Sequence, residues 1–386
     1  MLLLSLAVGS MFALAPAQPT PPTGQDDLGC KLVLSIDLTF WDRWDYSSAS
    51  RPELAETARV VRGQHFAPHV FVANPRIDDD GAARLRQDLR ILRPDGTVYF
   101  EELDHDAHSG PFTRGNLLRT QTFVGIGFEP EDALGTYRAE ATIRDLVAGS
   151  TGTASTEIEL VEYEQGEAFA NREELDQWLT RYSSEPDPSR IVPAVLAAGR
   201  EGWDGERDKL HGALRDLIDS NTWLVPELLA QLDGADTATR HWILWIASRQ
   251  SQATIDLASH LDGDDLALWN ELSSAHDPLV DPVRGREDID ELWGMYWPRR
   301  SIVPILRLCS LLAGTESGAV ADIRLSHPEF PEGVPLGSVV TEATTRVLLL
   351  GMEWDPLVRD YCEAALHSQN LSPAVQRQLR LLLESR

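Results

Sequence analysis

Two short segments hold the side chains best suited to metal binding. Asp78-Asp79-Asp80-Gly81 places three carboxylates beside a glycine, and carboxylate oxygens are ligands that Ca²⁺ prefers. An EF-hand loop would need an acidic residue where Arg76 stands, so we interpret this segment as a solvated hairpin turn. Asp104-His105-Asp106-Ala107-His108 offers two imidazoles and two carboxylates, which are donors found in zinc sites. We place it in a polar loop over 104–115, which fixes no ligand geometry, so zinc binding is the alternative to an ordinary loop.

Other titratable residues also have structural explanations. His65 and His69 are four apart in a predicted strand, so they point to one face but lie too far apart to hold one ion. Paired carboxylates such as Glu173-Glu174 and Asp264-Asp265 fall at predicted helix starts, where they complement the helix dipole. We therefore expect no metal and no cofactor, and we assign no catalytic or binding residue.

Sequence signatures of common enzymes are absent. The chain has no G-x-S-x-G elbow, H-E-x-x-H, C-x-x-C, G-x-G-x-x-G or Walker loop, which argues against common hydrolases, zinc proteases, thiol oxidoreductases and nucleotide enzymes. An unfamiliar active site stays open as an alternative. A carbohydrate-active or other hydrolase with a helical catalytic domain would need two carboxylates facing each other across a cleft.

The charge and the cysteines limit the possible partners. A net charge of −27 and a pI of about 4.7 argue against binding to nucleic acid or to an anionic membrane surface, because both require a basic patch. The three cysteines are Cys30, Cys309 and Cys362, an odd number that excludes a complete disulfide framework. Cys309 and Cys362 both fall on apolar faces of predicted helices. We expect buried thiols there, with a bridge between the two as the alternative.

The first thirty residues have the composition of a leader and a linker. Residues 1–15 are almost wholly apolar, and Ala15-Pro16-Ala17 supplies an A-x-A cleavage site, so 1–17 is predicted to be a signal peptide. Residues 18–29 form a Pro-rich linker. We therefore expect a periplasmic or secreted protein.

The stretch 128–149 organises the next part of the chain. Asp132-Ala133-Leu134-Gly135 predicts a tight turn, and the alternation that starts at Tyr137 predicts a strand with one buried face. Tyr137 stands where Greek-key sandwiches carry a tyrosine corner, whose hydroxyl bonds to backbone a few residues upstream. A plain half-buried tyrosine is the alternative. About seven short strands with regular turns predict a β-sandwich over 30–163, with further strands at 30–38, 83–93, 119–129 and 153–163.

This part of the chain resembles secreted bacterial Ig-like domains, including those of the macroglobulin type. The resemblance rests on Arg93-Pro94-Asp95-Gly96-Thr97 and Leu134-Gly135-Thr136-Tyr137, and it covers about a third of the chain. It implies an architecture and no particular activity. Ala139 stands where antibody domains carry their second cysteine, so this is not an antibody-type domain. No thioester motif is present, so trapping chemistry of the macroglobulin kind is not implied.

The hydrophobic period changes near Gln165, from two to between three and four. Leu175, Trp178, Leu179 and Tyr182 have helical spacing, so residues 165–386 are predicted to be helical. Short helices in pairs of roughly 40 residues resemble a HEAT-like stack, with a non-repetitive bundle as the alternative. Further helices are predicted at about 188–200, 206–219, 222–232, 236–249, 252–261, 264–275, 287–297, 300–313, 338–352, 355–368 and 372–385.

Aromatic residues and two long loops are the remaining candidates for function. Most of the 11 tryptophans lie in or beside predicted helices, and we interpret them as core residues, with a concave aromatic face as the alternative. Trp41, Trp44 and Tyr46 belong to a predicted irregular segment, 39–56, and are interpreted as a lid on the sandwich core or, alternatively, a glycan-stacking platform. The loops 276–286 and 326–337 interrupt the helices and serve as connectors or as functional loops.

Together these observations predict an all-β domain followed by an all-α domain. We expect an exported, non-catalytic binding or scaffolding protein of a bacterial envelope, whose partner is a protein or another envelope component. The alternative is the carbohydrate-active or other hydrolase introduced above.

Overall fold

The computed structural model describes most of the chain. It covers residues 27–47, 52–113, 116–121, 124–201, 207–249, 261, 263–274, 276–317, 319, 324–325, 334–368 and 371–385. A β region comes first, and a helical region begins at Arg172. The predicted signal peptide, most of the linker and the predicted helix at 252–261 lie outside the described residues.

Two sheets make up the β region. The strands are β1 (Gly29–Ser35), β2 (Arg59–Val61), β3 (His65–Ala73), β4 (Ala82–Leu92), β5 (Val98–Pro111), β6 (Leu117–Arg119), β7 (Ile126–Gly127), β8 (Gly135–Asp145) and β9 (Thr151–Val161). The first sheet has the order β1-β3-β6, with β7 also paired to β3, and the second has the order β2-β9-β8-β4-β5. All pairs within these sheets are antiparallel except β2 with β9.

The core between the sheets contains the predicted tyrosine corner. The Tyr137 hydroxyl donates to the carbonyl of Ala133 (3.0 Å), and its fully buried ring contacts Phe128, with 4.4 Å between ring centroids. Alternate residues of β8, among them Ala139 and Ile143, face the same core. The prediction of the corner is confirmed. The bond is local in sequence, which is why the pattern reveals it.

Strand β3 is buried on both faces because a short helix covers its outer side. Phe66 and Val70 face the core between the sheets, whereas His69 and Phe71 face α1 (Phe40–Tyr46). The prediction of an irregular segment over 39–56 is therefore wrong at 40–46. Trp44 packs on Phe71, so it covers the outer face of the sheet and not the sandwich core.

Two other predictions for the β region need correction. Residues 104–111 continue β5 and are not a loop, because β5 pairs with β4 as far as Pro111 through several register shifts. The predicted strand 119–129 is replaced by the short strands β6 and β7, which both pair with β3.

The described residues contain twelve α-helices. Apart from α1, they are α2 (Arg172–Arg181), α3 (Ile191–Glu201), α4 (Arg207–Asp219), α5 (Val225–Leu229), α6 (Thr237–Ser248), α7 (Gly263–Ser273), α8 (Arg286–Arg299), α9 (Ile302–Ser310), α10 (Leu336–Trp354), α11 (Pro356–His367) and α12 (Pro373–Glu384). A two-stranded pair, β10 (Arg324–Leu325) and β11 (Val334–Pro335), precedes α10. None of these helices is both long enough and apolar enough to cross a membrane.

Local capping explains where several helices begin. Asn171 accepts a hydrogen bond from the Glu174 amide (3.0 Å), as the capping pattern predicts. Asp187, Asp355 and Ser372 also accept amide hydrogen bonds, each directly before a proline at the first helical position.

Helices α4 and α8 cross with their backbones in contact. A Cβ at Gly212 would lie 2.0 Å from the Glu291 carbonyl oxygen, and one at Gly294 would lie 2.0 Å from that of Lys209. Only glycine allows so close an approach, so these two residues set the crossing. The crossing joins helices far apart in the chain and lies between the two cores of the helical region, one built on α2–α7 and the other on α8–α12.

Candidate functional site

Protein contacts hold the two segments for which metal binding was the alternative. Asp78 accepts the amides of Asp80 and Ala82 (both 3.0 Å) and pairs with Arg84, which confirms a hairpin turn. The second segment lies in strand β5, where Asp104 pairs with Arg86 of β4 and Arg144 of β8. In the part of the chain that the structure describes, no group of three or more His, Cys, Asp or Glu side chains is arranged to hold a metal ion.

His69 lies in an aromatic cluster with no hydrogen-bond partner for either ring nitrogen among the described residues. It is fully buried against Phe40 and Trp41, with ring centroids 5.2 and 4.5 Å away. Burial, helped by the positive charge of Arg119, lowers the pKa of His69 to about 3. His65 is exposed, so the two histidines do not form a joint site.

Helix α1 also joins the two regions. The Thr39 hydroxyl and the Arg43 guanidinium both donate to the Arg299 carbonyl (3.0 and 3.1 Å) at the C-terminal end of α8. Last-turn carbonyls lack partners within a helix and carry partial negative charge, so these donors cap α8. Arg43 also pairs with buried Asp37, and Tyr46 packs edge-on against Tyr361 of α11. We call this contact the junction.

A cavity beside the junction has a volume of about 20 Å³ and is lined by residues that include Asp37, Tyr182, Asn221 and Arg299. That volume suits about one water molecule and is far below the roughly 300 Å³ of a small-molecule site. The junction is therefore a structural contact between the two regions.

Buried charges concentrate around Arg215 of α4. Its guanidinium, 4% exposed, donates to Asp277 (2.7 and 3.0 Å) and to Glu291 of α8 (3.1 Å). Burial raises the pKa of Glu291 to about 7. Burial alone would also raise the pKa of Asp277, but hydrogen bonds and charge from Arg215 outweigh it and lower that pKa. The two carboxyl groups thus differ in acidity while sharing one cation.

His211 lies one turn before Arg215 on α4, edge-on to Trp242 and stacked on Trp245. Its ring centroid is 4.0 Å from that of Trp242 and 4.1 Å from that of Trp245. Burial lowers the pKa of His211 to about 3, with further lowering by nearby cations such as Arg207. The interpretation of these two tryptophans as core residues is confirmed.

An open depression lies along α10. It has a volume of about 440 Å³ and is lined by Glu342, Thr345, Arg346, Leu349 and Leu350. Leu350 is 43% exposed, and Trp354, one turn further along the helix, is 71% exposed. We call these six residues the α10 groove. The interpretation of helical tryptophans as core residues is wrong for Trp354.

The Arg215 cluster and the α10 groove both escaped sequence reasoning. Arg215 lies 62 and 76 residues from its two partners, so no local spacing reveals the cluster. The sequence does contain an indication of the groove. Trp354 follows Arg346 by two helical turns, so it falls on the charged side of α10.

Comparison with known proteins gives only distant structural resemblances. No protein-family model matches the sequence, and no curated protein matches it. A CARDB domain of Pyrococcus furiosus, solved with di-metal ions, is 17% identical, with a TM-score of 0.19, over 35% of this chain and 88% of that chain. The Escherichia coli alpha-2-macroglobulin from domain MG7 to the C-terminus is 13% identical, with a TM-score of 0.21, over 86% of this chain and 65% of that chain.

A third resemblance is to a family 123 glycoside hydrolase from Clostridium perfringens. It is 12% identical, with a TM-score of 0.23, over 36% of this chain and 28% of that chain. This chain thus spans less than a third of that enzyme. The predicted resemblance to macroglobulin-type domains is supported only as a distant likeness, in a chain whose β region precedes its helical region.

Proposed function

We propose that this chain is an exported, non-catalytic protein that binds another protein or an envelope component through the α10 groove. The observation that carries the proposal is the exposure of Leu350 and Trp354 at that groove. Exposed apolar side chains bordered by polar ones mark many interaction sites, and tryptophan contributes strongly to binding at such sites. Glu342 and Arg346 provide the charged border.

The shape of the groove favours a macromolecular partner. It is an open depression lined from a single helix, so it cannot enclose a small ligand. An amphipathic helix or an extended segment could lie along α10 and cover both apolar side chains.

The junction supports a scaffolding role. Side chains of the β region cap α8, and Tyr46 contacts α11, the helix that follows α10. A partner bound at α10 would thereby be held in a defined position relative to the β region.

The sequence predicts two arrangements for the helices, a HEAT-like stack and a non-repetitive bundle. The crossing of α4 and α8 departs from such a stack, in which each repeat contacts only its neighbours, and favours the non-repetitive bundle. The binding proposal is compatible with either arrangement, because it depends on the surface of α10 alone.

Export to the periplasm or beyond is supported by the apolar run over 1–15 and the A-x-A site at Ala15-Pro16-Ala17. We expect Gln18 to be the first residue of the protein recovered from the envelope fraction. N-terminal sequencing checks this, and an uncleaved chain found only in the cytosol would contradict it.

Affinity capture from envelope extracts tests the binding proposal. The double variant Leu350→Ser/Trp354→Ser removes the apolar side chains, and Val98→Ser/Leu103→Ser, which changes exposed apolar residues of β5, is the matched control. We expect the wild type and the control to retain one stoichiometric partner that the α10 variant loses, with unchanged thermal midpoints. Equal capture by all three proteins, or no stoichiometric partner for the wild type, would refute the assignment to α10.

The hydrolase remains the second candidate because Asp277 and Glu291 lie together with opposite pKa shifts. Against it, both carboxyl groups contact the buried Arg215, and neither lines the junction cavity or the α10 groove. Glycan hydrolysis by the wild type that Glu291→Gln abolishes, with folding retained, would favour this candidate over the binding protein.

A further inference from the structure

Two cysteine side chains meet in the core of the α8–α12 part. Cys309 of α9 and Cys362 of α11 are both fully buried, and their Sγ atoms are 3.7 Å apart. They are 53 residues apart in sequence, and both are free thiols. The third cysteine, Cys30, belongs to the β region and packs near Gly152.

The two sulfur atoms are in contact and not bonded, at a separation from which a disulfide can form. A sulfur–sulfur bond is about 2 Å long, so the two Sγ atoms need to approach by less than about 2 Å. The contact between the two sulfur atoms shows that the side chains already face each other.

The surroundings of the two sulfur atoms are apolar. Ile305, Leu308, Val358 and Ala365 belong to the same buried cluster as the two thiols. The hydrogen bond with Cys362 and then burial raise the pKa of Cys309, so a thiolate is disfavoured there. A disulfide carries no charge and suits an apolar site. Because thiolates are the attacking species, the bond should form before the core closes.

We propose that Cys309 and Cys362 are a modification site that becomes an intramolecular disulfide when the chain folds in the presence of a small-molecule or protein disulfide as oxidant. The thiolate of one cysteine attacks the oxidant, forms a mixed disulfide and releases one reduced thiol. The second thiolate then attacks the protein sulfur and releases the other. The protein loses two protons and two electrons, and the oxidant's disulfide becomes two thiols.

The bond would close the stretch of chain that contains α10. Helices α9 and α11 would be tied together, while α10 lies between them in sequence. The inference stands independently of the proposed binding role, because it depends only on the two thiols and their surroundings.

Counting thiols after refolding tests the proposal on the full chain. The unfolded, reduced protein is refolded with a mixture of reduced and oxidised glutathione, then denatured, alkylated and digested for mass spectrometry. We expect one alkylated cysteine, Cys30, and one cross-linked pair of peptides carrying Cys309 and Cys362. A sample refolded with excess reductant should show three alkylated cysteines.

Other results would overturn the inference. These are three alkylated cysteines after oxidative refolding, a cross-link that involves Cys30, or separate glutathione adducts on Cys309 and Cys362. The variant Cys30→Ser is the control and should leave no free thiol after oxidative refolding. The wild-type count decides the question even if substitutions of the buried cysteines fail to fold.

Discussion

An arginine between two carboxylates occurs in each region of the molecule, in opposite surroundings. On the outer face of the five-stranded sheet, Arg144 contacts Asp88 and Asp104 (3.0 and 2.9 Å), and the Asp104 side chain is 66% exposed. In the helical region, buried Arg215 holds Asp277 and Glu291. The same pairing is a solvated surface contact in one region and an internal support in the other, because water screens the first and has much less access to the second.

The largest expected effect comes from breaking the buried group. Arg215→Met should lower the free energy of unfolding by about 3–5 kcal/mol, since it leaves Asp277 and Glu291 without their cation. Urea denaturation followed by tryptophan fluorescence measures the change. A loss as small as that of an exposed pair would contradict the assigned importance of burial.

The pH response of Glu291 sharpens the comparison. Its folded pKa of about 7 lies above the ordinary 4.5, so the protonated form is favoured in the fold. The contribution of Glu291 to the free energy of unfolding is complete below pH 4.5 and is lost as the pH rises through 7. The free energy of unfolding falls by about 1.4 kcal/mol for each pH unit between those values. We expect the wild type to lose stability relative to Glu291→Gln over this range, and parallel curves would contradict the prediction.

The two regions should agree in their response to acid, because each buries a neutral histidine. His69 and His211 have folded pKa values of about 3, below the ordinary 6.5, so the unfolded chain binds more protons between these values. Stability falls as the pH drops below 6.5, by about 2 kcal/mol per histidine at pH 5. His69→Phe and His211→Phe should each reduce this acid sensitivity, measured by denaturation at several pH values. An unchanged pH profile would show that the histidine is not buried neutral.

The smallest effect is expected at the exposed pair. Arg144→Gln should cost at most about 1 kcal/mol, and the cost should shrink in high salt. Hydrogen bonds from Arg86 and then Arg144 lower the pKa of Asp104 to about 2 in the fold, so its contribution appears above pH 3.8 and is lost as the pH falls through 2. The stability that Asp104 contributes is therefore lost as the pH falls, whereas the stability that Glu291 contributes is lost as the pH rises. If Arg144→Gln lost as much stability as Arg215→Met, the distinction between the two regions would be removed.

Features that depend on neighbouring residues were predictable from the sequence. The tyrosine corner and the capped helix starts involve partners two to four residues away, and both were found as predicted. Helix α1 was missed because its aromatic residues have weak helix propensity and it is stabilised mainly by packing on β3. The Arg215 cluster joins residues that are far apart in sequence. Acidic residues are frequent throughout the chain, so no local pattern distinguishes Asp277 and Glu291 from the others.

The junction limits how early in its synthesis the protein can complete its fold. Arg43 precedes Arg299, whose backbone carbonyl it caps, by 256 residues, and it is therefore synthesised earlier. While the chain is being synthesised, the β region therefore carries a polar surface without its counterpart until α8 has emerged. The contact of the β region with α8 can therefore form only after about three quarters of the 386 residues have been made.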